Sequence, residues 1–175
     1  GKNILDPKYA GMLRNNLSEC IQKYYEFQPQ LKQLFTFRES RVKPNKDNKS
    51  ITSWNALAIS AFALGGSICH NGEEYRKIAI QTAENFFDDY KHYGFLPHIL
   101  HNPQIEGFLE DYTLFILSLL DLYEITLDSN WLERAVILME RTLQDFYDSE
   151  GMGFYRVSDK NRIGYPIVSK PIFDQ

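Results

Sequence analysis

A chain of 175 residues that is 43% hydrophobic and 14% aromatic has the apolar content of a packed globular domain and not that of a disordered one. Its formal net charge of −4 and pI near 5.6, with acids and bases interspersed, offer no basic field to a phosphate backbone or an anionic bilayer, so neither nucleic acid nor membrane is expected as a partner. No run reaches the roughly 18 consecutive apolar residues of a membrane span, and no basic-then-apolar leader opens the chain. Cys20 and Cys69 stand 49 positions apart without C-x-x-C spacing, which reads as two buried, reduced thiols of a soluble, cytoplasmic protein.

Apolar residues recur at helical spacing along most of the chain. Leu13, Leu17, Cys20, Ile21 and Tyr24 form a first stripe, and a shorter helix is expected from Gln30 to Glu39, after Pro29. The polar stretch RVKPNKDNKS then gives way to a stripe of Trp54, Leu57, Ala58, Ala61 and Phe62. Further stripes follow at Tyr75, Ile78, Ala79, Thr82, Phe86 and Tyr90, at Tyr112, Phe115, Ile116, Leu119, Leu120 and Tyr123, and at Trp131, Ala135, Leu138, Met139, Thr142 and Phe146. GGSICHNGEE and TLDSNW read as short turns, whereas HYGFLPHILHNPQIEGF and SEGMGFYRVSDKNRIGYPIV carry short β-like runs around Gly, Asn and Pro and read as hairpins.

The order of helix, turn, helix and hairpin occurs twice. Superimposing Glu73 to Tyr90 on Ser129 to Phe146, an offset of 56, aligns Tyr75 with Trp131, Ala79 with Ala135, Glu84 with Glu140 and Asp89 with Asp145; YGFLPHI and MGFYRV then align at an offset of 59. This period exceeds that of a tetratricopeptide or ankyrin unit. Such repeats bury their faces only against neighbours. The expected fold is therefore all-α: an α/α toroid of the (α/α)6-barrel type, present as a partial toroid, with short β-hairpins between helix pairs and residues 1–175 forming a single helical-repeat domain. Inner helices would ring a cup, and TSWN and LEDY would open two of them at the hairpin end, at its mouth.

Thr52 or Ser53 is the expected N-cap of the helix after the polar stretch. Capping does not ask for Trp54 or Asn55, which could offer a stacking face and an amide to a sugar-like ligand. The plainer reading is that Trp54 belongs to the core and that Asn55 satisfies a nearby loop carbonyl. Glu110 and Asp111 open the LEDY helix, where the macrodipole favours acids; as catalytic candidates, one would act as general acid or base. Adjacent positions diverge by about 100° around a helix, so only one of the two can aim into the cup, and Asp111 is the choice. Arg41 and Asp47, in the Pro-containing loop, could fold over the pocket, and Tyr112 and His98 complete the candidate substrate-binding set. His98 and His101 have no evident third ligand, so no metal is expected, and no phosphate-binding loop or other cofactor motif is present.

RVKPNKDNKSITSWNALAISAFA, GFLEDYTLFILSLLDLYEITLDSNWLERA, GMGFYRVSD and SKPIFD, in this order and spacing, resemble the C-terminal helical part of thioredoxin-domain-containing proteins of the spermatogenesis-associated protein 20, or DUF255, type. The resemblance covers most of the chain from Arg41 onward. It implies a six-hairpin domain related to N-acylglucosamine 2-epimerases and six-hairpin glycosidases, following a thioredoxin-like domain that residues 1–175 do not contain. The family usually has Gly at the position of Ala56 and Asp at that of Asn48, and continues past Asp174 through a Gly- and Ser-containing motif, so the chain is expected to be a fragment holding about half the toroid. The epimerase histidines match none of His92, His98 or His101. The implied function is a domain that binds or processes a carbohydrate in the cup, as a hydrolase or epimerase; the alternative is a non-catalytic scaffold for protein partners. Uncovered helical faces would favour a homo-oligomer.

Overall fold

The computed structural model describes residues 17–151 and 153–162, which form seven helices and two two-stranded antiparallel hairpins. They divide into two units after Asp47. The first unit contains α1 (Leu17–Glu26) and α2 (Gln28–Glu39). Helix α2 starts two residues earlier than the proline alone predicts, because Pro29 sits in the first turn, where no backbone N–H is required. Leu13, from the first apolar stripe, lies outside the described residues.

The second unit runs α3 (Thr52–Ile68), α4 (Gly72–Tyr93), β1 (Pro97–Ile99), β2 (Asn102–Glu106), α5 (Leu109–Thr126), α6 (Ser129–Phe146), β3 (Tyr147–Asp148), β4 (Gly153–Phe154) and α7 (Asp159–Arg162). Helix α3 packs on both α4 and α5, and α5 packs on α6. Two helix hairpins thus lie side by side through their first helices, as neighbouring repeats of an α/α toroid do. The buried face of α3 is mostly small, with Thr52, Ser53, Ala56, Ala63 and Gly66 beside Ile59. Small side chains let two other helices approach at once. The α3–α4 turn is tighter still: a Cβ on Gly72 would collide with the Gly66 carbonyl oxygen, so only glycine fits there.

Large side chains from the other helices fill the core, with Phe86 from α4, Tyr112, Phe115, Leu119 and Leu122 from α5, and Leu138 and Phe146 from α6. Each such residue contributes on the order of 1.5–3 kcal/mol through removal from water. The internal repeat is real in burial as well as in spacing, since Ala79 and Ala135 are both buried and Asp89 and Asp145 are both only 6% exposed.

Each hairpin ties down the start of its own repeat's first helix. In the first repeat Leu100 N donates to Ser50 O at 3.0 Å and Ile51 bridges to Ile99; in the second, Leu109 N donates to Arg156 O at 2.9 Å. Both first helices therefore begin at the hairpin end. The two hairpins are also tied together: Glu106 of β2 accepts from Ser158 Oγ at 2.9 Å and from Asn161 Nδ2 of α7 at 2.8 Å. Among the described residues no helix is long and apolar enough to cross a membrane.

Candidate functional site

One carboxylate organises the hairpin end. Asp111 lies in the first turn of α5 with 0% of its surface exposed. Its Oδ2 accepts from the backbone N–H of Phe108 at 2.9 Å, which is half of a capping box, because phenylalanine has no acceptor to return. Its Oδ1 accepts from the N–H of Ser53 at 2.9 Å, at the start of α3. One side chain thus caps two helices. This corrects the expected capping of α3, for neither Thr52 nor Ser53 caps it: both are already helical, and the Thr52 hydroxyl donates to Pro97 O of β1 instead.

The same Oδ2 lies 2.7 Å from His98 Nδ1, on β1. Two backbone donors fix the carboxylate as an acceptor, so Nδ1 carries the hydrogen of this contact and Nε2 keeps the lone pair of the neutral ring. The His98 side chain is one-fifth exposed. Its ring meets Phe108 edge-on at 4.9 Å, and the Arg156 guanidinium lies 5.4 Å from the same Phe108 ring. Arg156 in turn reaches Glu110 at 3.3 Å. Trp54, one residue beyond the Ser53 amide that Asp111 holds, is 69% exposed.

These positions revise the expected set. Of the adjacent acids only one points inward, as helix geometry requires, but inward leads to the seam between α3 and α5. Asp111 is closed off from solvent, with both oxygens engaged by Ser53 N, Phe108 N and His98. Glu110 stays exposed, paired with Arg156. Tyr112 is not a ligand-facing residue: it is fully buried, its hydroxyl accepts from Leu96 N at 2.9 Å, and burial pushes its pKa well above the ordinary tyrosine value, against the lowering effect of that hydrogen bond. Asn55 donates to Ile51 O at 2.8 Å, which gives its amide a loop-holding task. Arg41 and Asp47 belong to the first unit, where the Arg41 guanidinium lies 4.8 Å from the Phe37 ring centre.

His98 and His101 go to different acids. His101 sits in a left-handed conformation at φ 60° at the hairpin tip, where its N–H and its Nδ1 both reach Asp89, the latter at 2.9 Å. Among the described residues no group of three His, Cys, Asp or Glu side chains is placed to hold a metal ion. Phe108 and Arg156 escaped the sequence reading. Arg156 lies 46 positions from Glu110, and the bond from Leu109 N to Arg156 O helps bring the segment after the second hairpin back to the start of α5.

Fold and site together define the class: paired α/α-hairpin repeats with a polar and aromatic cluster where the helix starts meet the β-hairpins. No protein-family model matches the chain. It is 32% identical over 151 residues to spermatogenesis-associated protein 20 of Homo sapiens, covering 80% of this chain and 19% of the human protein. The corresponding Rattus norvegicus protein is 34% identical over 144 residues, 71% of this chain and 17% of its own length. An uncharacterized protein of Caenorhabditis elegans is 29% identical over 140 residues, 73% of this chain and 18% of its own length. The chain belongs to the spermatogenesis-associated protein 20 family and spans about a fifth of the length of these relatives.

Proposed function

We propose that the hairpin end of the two repeats is one wall of a carbohydrate-binding cup, in a six-hairpin, glycosidase- or epimerase-like domain of a longer, cytoplasmic protein that also carries a thioredoxin-like domain. The observation that carries this reading is His98, whose Nδ1 is held by the buried Asp111 carboxylate while its one-fifth-exposed side chain packs edge-on against Phe108. In the neutral ring Nε2 can accept a hydrogen bond from a sugar hydroxyl, or take its proton as a general base, while Asp111 fixes the ring and balances the imidazolium that forms. Trp54 supplies an exposed face for stacking, and the Arg156–Glu110 pair supplies hydroxyl partners at the rim. Further repeats would close the cup, and the free Cys69 thiol, which is exposed and not buried as expected, suits a reducing compartment.

A thermal-shift screen of the full-length protein against monosaccharides, N-acetylated sugars and short glucans tests the reading. A sugar at 100 times its dissociation constant adds about 2.7 kcal/mol to the native state, which is a readable rise in Tm. That rise should vanish in Trp54→Ala and in His98→Gln. A broad library with no hit would leave the non-catalytic scaffold as the better reading.

A further inference from the structure

A different part of the second unit shows an apolar face that none of the described residues covers. Helix α3 contains no charged residue, yet it is not covered all round. Leu57, Ala61, Leu64 and Ile68 all face outward, with Leu64 59% and Ile68 74% exposed. Their steps of four, three and four residues keep them on one line of the helix, the spacing by which helices interlock. Beside this line, towards the α3–α4 turn, a groove runs between the second halves of α3 and α5. Ala61, Leu64 and Ile125 supply its apolar lining, and Asp121 and Glu124 form its α5 edge. Among the described residues neither carboxylate has an ion-pair partner, and no basic side chain lines the groove. Asp121 and Glu124 are three apart, so both follow one side of α5.

We propose that this groove docks an amphipathic α-helix of a partner protein, one that places leucine-like residues on the Ala61–Leu64–Ile68 line and lysine or arginine opposite Asp121 and Glu124. The apolar stripe calls for a helix because its spacing matches a helical seam. The acidic edge decides the partner's charge. The proposal does not depend on the carbohydrate reading, since it uses neither Trp54 nor His98.

Two helical peptides of equal length with the same leucine seam, one flanked by lysines and the other by glutamates, test it by fluorescence anisotropy against the full-length protein. At low salt the lysine peptide should bind about tenfold more tightly than the glutamate peptide, with the preference shrinking as salt is added. Leu64→Glu, at an exposed position that the fold does not need, should abolish binding. The double variant Asp121→Asn, Glu124→Gln should keep the unfolding midpoint but lose most of the charge preference. Absence of binding by either peptide, equal binding of both, or an indifferent double variant would overturn the proposal. So would light scattering that shows a dimer dispersed by Leu64→Glu, because the occupant would then be a second copy of the chain.

Discussion

The two repeats of the second unit share a plan but differ in how their parts are joined. The first repeat depends on its neighbour: the N–H of Ser53, at the start of α3, is satisfied by Asp111, which belongs to α5. The second repeat caps α5 internally with that same carboxylate. The repeated acids near the ends of the second helices diverge as well. Asp89 crosses to the β-hairpin and holds His101, whereas Asp145 pairs with Arg141 one turn back on its own helix. Burial works against the charge of Arg141, but the hydrogen bond and charge of Asp145 outweigh it and raise the pKa. A repeat can therefore keep a buried acid at one position while using it either to tie elements together or to close on itself. The first choice makes neighbouring repeats cooperate.

The contrast can be broken most forcefully at the shared residue. Asp111→Ala strands two backbone donors and frees His98, so urea unfolding should show a loss of about 3 kcal/mol; hydrogen exchange should quicken at Ser53 and Phe108 together, in both repeats. Next is Gly72→Ala, which forces a methyl group onto the Gly66 carbonyl and should cost about 2 kcal/mol through overpacking. High pH probes the second repeat's buried phenol. Tyr112 has its pKa raised by burial, and Tyr90 follows in the same direction for the same leading cause, so both stay protonated in the fold after they would ionise in the unfolded chain. Their contribution is complete below the ordinary tyrosine value and is lost above it. Denaturation between pH 9 and 11 should show stability falling by roughly 1 kcal/mol per pH unit above pH 10, with a shallower fall in Tyr112→Phe.

Smaller effects sharpen the comparison. Asp89→Ala should cost about 1 kcal/mol and speed amide exchange at His101 while leaving Tyr155, in the second hairpin, unchanged. Gly65→Ala, one residue from the glycine contact that cannot be filled, meets only the Tyr75 ring at 3.5 Å. It should be neutral or stabilise by about 0.5 kcal/mol through helix propensity, as a small rise in Tm would show.

Much of this was legible in the linear sequence. Helical spacing located all four long helices of the second unit, and the 56-residue offset matched helices whose corresponding alanines and aspartates are equally buried. The hairpins announced themselves through Gly, Asn and Pro. The site was only partly readable. The leading ends of α3 and α5 do meet, and LEDY did contain the decisive acid. Its surroundings were not readable, because a carboxylate's partners depend on which donors reach it. For Asp111 those donors are Phe108, His98 and Ser53, and Ser53 lies 58 positions away.

The sequence by itself determined the helices, their pairing and the hairpins between them, because periodicity, glycine geometry and turn chemistry act over a few neighbouring residues. Only the tertiary structure decided that Asp111 joins two repeats, that Tyr112 is core, and that Arg156 comes back to Glu110. Hydrogen-bond partnership and burial depend on distances across the fold, and these become fixed only when the helices pack.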